Sequence, residues 1–99
     1  MSQAELFQNW RIPFVMFGRE CVVARASAVD VIKQIYGNGF IFLGYDAFTV
    51  FPDGKRQPVN EFCATFSIKN QPSIGEAIDS LKEDPSQVTS YVFYFKPSA

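Results

Sequence analysis

The stretch Phe40-Ile41-Phe42-Leu43-Gly44-Tyr45-Asp46-Ala47-Phe48-Thr49-Val50-Phe51 decides the fold. It is crowded with aromatic and β-branched residues, which suit a pleated, packed surface. Strict alternation puts Phe40, Phe42, Phe48 and Val50 on one side and Ile41, Leu43, Tyr45 and Phe51 on the other. A sheet with one wet face would be apolar on one side only. The stretch therefore reads as a central strand, or two strands bent at Gly44, covered on both faces. One cover is the chain's own helix, and the other is a second helix or a partner chain. Asp46 is the charged residue that interrupts the run.

Working outward, Pro52-Asp53-Gly54-Lys55 forms a tight turn, with proline presetting φ and Asp-Gly making the reversal. A return strand starts near Lys55 and stops at Pro58. Residues 62–68 alternate, with Phe62, Ala64, Phe66 and Ile68 inward and Cys63, Thr65 and Ser67 outward, which predicts an antiparallel strand. Ser73 and Glu76 make a capping box for a helix whose apolar face is Ile74, Ala77, Ile78 and Leu81. Asp84-Pro85 ends it. Residues 88–96 form the last strand, Tyr91, Phe93 and Phe95 on one side and Val92 and Tyr94 on the other, paired beside the central one.

Toward the N-terminus, Ser27 caps a helix over 28–36, with Ala28, Val31, Ile32 and Ile35 at helical spacing and Gly37 and Gly39 as its exit. Residues 20–25 form a short strand. Ala4 to Trp10 make a helical turn, and Trp10, Phe14 and Phe17 join the core. The 99 residues suit a single domain, of which residues 1–18 are an N-terminal arm. The fold class is α+β: a mostly antiparallel sheet of four or five strands, two helices packed largely on one face, and an aromatic opposite face open to a partner.

Composition narrows the function. A net charge of −1 gives no general grip on phosphate backbone, so no nucleic-acid partner is expected. The acidic excess lies in the second half, seven acidic against five basic residues from Asp46 onward. Met1 to Asn9 lacks the pattern of a secretion signal, and no apolar run suits a membrane span. The expected location is the cytoplasm, with Cys21 and Cys63 as reduced core thiols. With no histidine, a His-dependent triad and the commonest metal ligand are both missing from the chain. No catalytic residue, cofactor or metal ligand is assigned, and the expectation is a protein that is not an enzyme. Asp46 and Glu61 were the one carboxylate pair that a sheet could bring together for acid–base work; exposed carboxylates at strand ends are the plainer reading. Cys63 as a nucleophile needs a cationic neighbour, and an inert thiol is favoured. Phe93-Tyr94-Phe95-Lys96 could stack bases, but without a basic groove it reads as core. Glu76, Asp79, Glu83 and Asp84 read as a solvated helix face.

Arg19-Glu20-Cys21-Val22-Val23-Ala24, the capped helix that follows, Leu43-Gly44-Tyr45-Asp46 and Pro58-Val59-Asn60-Glu61-Phe62 together resemble the small immunity proteins of bacterial polymorphic-toxin systems, in particular immunity protein family 40. Tyr45 stands where those proteins carry a small residue. The resemblance spans about residues 19–62. It implies a non-catalytic protein that binds and neutralises one cognate toxin domain, with Tyr45, Asp46, Asp53 and Glu61 at the partner surface. Two other readings remain open. One is a homo-oligomeric structural or regulatory domain that buries Tyr45, Tyr91 and Phe93 across a two-fold axis. The other is a small-molecule-binding domain with its ligand between sheet and helix.

Overall fold

The computed structural model describes residues 2–98. The helices are α1 (Gln3–Asn9), α2 (Arg25–Gly37) and α3 (Ile74–Lys82). The strands are β1 (Val15–Phe17), β2 (Glu20–Ala24), β3 (Ile41–Val50), β4 (Arg56–Pro58), β5 (Ala64–Thr65) and β6 (Ser90–Lys96). Their order is β1-β2-β6-β3-β4, with β5 also on β3, and every pairing is antiparallel. This is the α+β class that the sequence predicts.

One core cluster joins all three helices to one face of the sheet. Phe7 of α1, Ala28, Val31, Ile32 and Ile35 of α2, and Ala77 and Leu81 of α3 meet Val23, Phe42, Tyr45, Ala47, Tyr91 and Phe93. The N-terminal arm belongs to this core. Ser2 caps α1 in a capping box with Glu5, and the Gln3 amide donates to the Phe93 carbonyl at 2.8 Å. Trp10 packs its ring against Phe7, Phe40 and Phe95.

The central stretch is one strand, not two, but its alternation is broken. The register with β6 slips between Phe42 and Gly44, which leaves Leu43 as an extra residue. One extra residue reverses the parity of everything beyond it. Phe42 and Tyr45, expected on opposite sides, therefore share the helix face, their ring centroids 6.3 Å apart. Phe48, expected beside Phe42, faces the other way and joins a second small cluster with Val22 and Val92. Gly44 permits the bulge. Its φ is 134°, and a Cβ there would lie 2.0 Å from the Ala64 carbonyl oxygen.

Two further expectations change. Helix α2 begins at Arg25, so Ser27 lies inside it, and its N-cap Ala24 offers no side-chain bond. Tertiary bonds anchor that end instead. Arg25 N–H donates to Thr89 O, and its guanidinium reaches the carbonyls of Leu81, Asp84, Pro85 and Val88. The strand expected over 62–68 shrinks to Ala64–Thr65, preceded by a 3₁₀ turn at Asn60–Phe62, and Ile68 is exposed.

The shortened strand still leaves the β3 edge almost fully paired, by unlike partners in succession. β4 pairs Phe48 to Val50, and Val59 N–H donates to Ala47 O. The Ala47 N–H donates to the Cys63 sulfur at 3.3 Å. β5 pairs Gly44 and Tyr45, and Phe66 N–H donates to Leu43 O. The Gln71 side-chain amide completes the row, accepting from Phe42 N–H and donating to Phe42 O, both at 2.9 Å.

Candidate functional site

The second face of the sheet is concave. Arg56 stands on β4 at one end of the strand order and Glu20 on β2 near the other. Their strands lie three spacings apart, about 14 Å at roughly 4.8 Å per strand. The two long side chains cross that span, and the Arg56 guanidinium meets the Glu20 carboxylate at 2.5 Å. It also lies 5.2 Å from the ring centre of Phe17 on β1 and 4.6 Å from that of Phe48 on β3. The sheet curls, and the Arg56 side chain reaches across this face from β4 to β2 and β1. Under that bridge sit Val22, Phe48 and Val92, which explains why the central strands are apolar on both faces without a second helix. One guanidinium nitrogen, Nη1 of Arg56, is buried with no hydrogen-bond partner among the described residues.

Beside the bridge stands Tyr94, 39% exposed. Its hydroxyl donates to the Asp46 carboxylate at 2.7 Å, and Glu20 offers a longer alternative at 3.4 Å. Burial first, then the hydrogen bond to Asp46 and the nearby carboxylate charges, raises the Tyr94 pKa far above the usual phenol value. The ring therefore stays neutral and keeps donating at physiological pH. Asp46 is half-buried on this face, Asp53 is exposed in the turn after β3, and Glu61 is exposed in the 3₁₀ turn. Asp53 also accepts from Lys55 N–H, which shapes that turn. Three of the four expected partner-facing residues thus lie on β3 and the segment that folds back along it.

Tyr45 does not belong with them. It is 1% exposed, stacked among Phe42, Tyr91 and Phe93, and its hydroxyl shares a 2.5 Å hydrogen bond with Ser80. The bulge at Leu43 is the physical reason, since it turned this position inward. Tyr91 and Phe93 are also fully buried in the chain's own core, so these three rings are not free to meet across a two-fold axis. The same packing fills the space between sheet and helices where a ligand was expected. A shallow pocket of about 100 Å³, lined by Arg25, Ala28, Val29, Leu81 and Lys82, opens between α2 and α3. Ligand pockets usually enclose roughly 300 Å³ or more.

Asp46, Cys63 and Asp84, among the groups considered for chemistry, are held by structural partners. No hydrogen bond joins Asp46 to Glu61 among the described residues. Cys63 is half-buried and free; burial pushes its thiol pKa up, the Ala47 N–H works against this, and the Asp46 charge adds to it. That favours the protonated thiol over the thiolate that a nucleophile needs. Cys21 is free and buried, with its thiol 3.6 Å from the Met16 sulfur. No group of His, Cys, Asp and Glu suited to a metal ion occurs among the described residues. Asp84, expected on a solvated face, instead accepts from the Tyr91 hydroxyl at 2.7 Å, and burial raises its pKa. In the row from Phe93 to Lys96, Phe93 is buried and Phe95 half-buried, so the row offers no continuous stacking platform.

Sequence reasoning missed Glu20, Arg56 and Tyr94 as one constellation. They come from three strands far apart in sequence, β2 and β6 being neighbours in the sheet and β4 lying two strands beyond β6. The available signal was the pairing of Tyr94 with Asp46 as the polar residues on otherwise apolar outer sets of neighbouring strands. No helix among the described residues is long and apolar enough to cross a membrane. Compared with known proteins, the chain matches no family model, no curated protein and no solved structure.

Proposed function

We propose that this chain is a non-catalytic binding protein that neutralises a cognate bacterial toxin domain by covering part of its surface from the cytoplasmic side. The observation that carries the binding reading is the concave face, where an exposed tyrosine stands between the carboxylates of Asp46 and Glu20. Asp53 and Glu61 lie exposed along the adjoining segment. A rigid aromatic ring supplies an anchor at low entropic cost. Carboxylates around it speed capture of a basic partner and select against acidic ones. The toxin as partner rests on the resemblance of residues 19–62 to immunity proteins.

The test is co-expression of this chain with the toxic domain encoded beside it, scoring growth and co-purification. Rescue with a stable complex supports the reading. Charge reversal at Asp46, Asp53 and Glu61 should then slow association by roughly tenfold or more. Tyr45→Phe should leave association unchanged, because that ring faces the core. Failure of rescue by a folded, soluble chain would remove the toxin from the reading. Rescue unaffected by the triple reversal would remove the concave face.

A further inference from the structure

An open sheet has two ends, and each exposes unpaired N–H and C=O groups that invite another strand. This sheet defends one end. The β3 edge is paired along almost its whole length, finishing with the Gln71 amide on Phe42. In β4 beyond it, Pro58 has no N–H to offer.

The other end is undefended. β1 is the terminal strand, with Val15 62% and Met16 47% exposed, one on each face. Phe17 pairs with Glu20 across the two-residue turn Gly18-Arg19, and Gly18 has φ 60°, as a type II′ hairpin requires. Alternate residues of an antiparallel strand point their backbone groups to opposite edges. With Phe17 closing the hairpin, the Met16 N–H and C=O turn outward. The stretch Ile12-Pro13-Phe14-Val15-Met16-Phe17-Gly18 carries no charge, and it is bracketed by Arg11 and Arg19. Both arginines are exposed, and neither has an ion-pair partner among the described residues.

We propose that the outer edge of β1 accepts an extended segment of a partner protein by strand addition, and that this segment is apolar at its centre and acidic at both ends. Main-chain bonds at Met16 supply the register. Apolar side chains cover Val15 and Met16, and carboxylates answer Arg11 and Arg19. A second copy of the chain fits less well. Two β1 strands paired about a two-fold axis set the Arg11 end of each against the Arg19 end of the other. This edge is distinct from the concave face and stands or falls separately from it.

Fluorescence anisotropy on the full chain tests the proposal with two labelled peptides of about eight residues. Each alternates Val and Thr in the middle, and the ends carry Asp in one and Lys in the other. The Asp peptide should bind, weaken as salt rises, and exceed the Lys peptide by roughly fivefold to tenfold. Arg11→Gln with Arg19→Gln should collapse that difference. Met16→Pro loses the outward N–H and the side-chain contact with the Cys21 thiol, whereas Met16→Ala loses only the side chain. The proline variant should abolish binding that the alanine variant retains, at a similar melting temperature. Should the proline variant fail to fold, amide exchange on the unaltered protein reads the same contact, with protection of the Met16 N–H upon peptide binding. Equal affinity for both peptides, no saturable binding, an unprotected Met16 N–H, or a dimer that shuts the peptide out would each overturn the proposal.

Discussion

Gly44 shows how one residue sets the course of the strand. Its φ of 134° and the Ala64 carbonyl leave no room for a side chain. Gly44→Ala should destabilise the fold by more than about 2 kcal/mol, because strained φ and a backbone clash add together. Urea unfolding measures this, and a loss under about 1 kcal/mol would mean that β5 moves away at little cost. Gln71 acts at the same scale by a different route. Its amide stands in for a strand residue by bonding both backbone groups of Phe42. Gln71→Ala leaves those groups to water or to another chain, at about 1–3 kcal/mol if they stay buried. It should also raise the tendency to aggregate through the β3 edge, seen as light scattering at unchanged net charge. Gly44 stands out in the sequence as a glycine within a strand pattern, a known sign of a bulge. Gln71 gives no such sign, because what it replaces is a neighbour that the sequence does not reveal.

At the scale of elements, the two capping boxes were written locally and formed as written. Ser73 with Glu76 was legible before α3 and Ser2 with Glu5 follows the same rule at α1. Ser73→Ala should cost about 1 kcal/mol. Hydrogen bonds from the cap lower the pKa values of Glu5 and Glu76 below their ordinary 4.5. A lowered folded value gives stability that is present above pH 4.5 and lost as pH falls through the lowered values. Asp84 runs the other way. Burial raises its pKa above the ordinary 3.8, so its cost at neutral pH is relieved as pH falls through the raised value. Melting temperature against pH should therefore fall less steeply in acid for the Ser2→Ala, Ser73→Ala double variant, and more steeply for Asp84→Asn. The start of α2 was not legible in this way. Ser27 has the right chemistry, but Arg25 finds the carbonyls of a loop some sixty residues away, and that tertiary anchor overrides the local signal.

The whole molecule is shaped by curvature. Arg56 ties β4 to β2 and β1 over a small apolar cluster, so the bridge holds a bent sheet as well as two charges. The pair is partly exposed, so its coupling in a double-mutant cycle of Glu20→Gln and Arg56→Met should be modest, about 1 kcal/mol. The arginine alone should matter more than the glutamate alone, because its stem and guanidinium also pack on Phe17 and Phe48. A near-zero coupling by urea unfolding would show that ring packing, not charge, closes the face. The strand order β2-β6-β3 defines the proposed binding face, since it sets Glu20 and Asp46 on either side of Tyr94.

The sequence by itself determined the class of the fold, because hydrophobic period, turn chemistry and capping act over a few residues. It placed the turn at Pro52-Asp53-Gly54, helix α3, strand β6 and the doubly apolar character of β3. Tertiary structure alone decided which side of β3 each residue faces, since the bulge at Leu43 arises in the pairing of β3 with β6. That bulge turned Tyr45 into the main core and Phe48 into the small cluster on the other face. Only the assembled sheet could bring Arg56 to Glu20 and Phe17, because side chains with two and three strands between them have no relation that a linear pattern records.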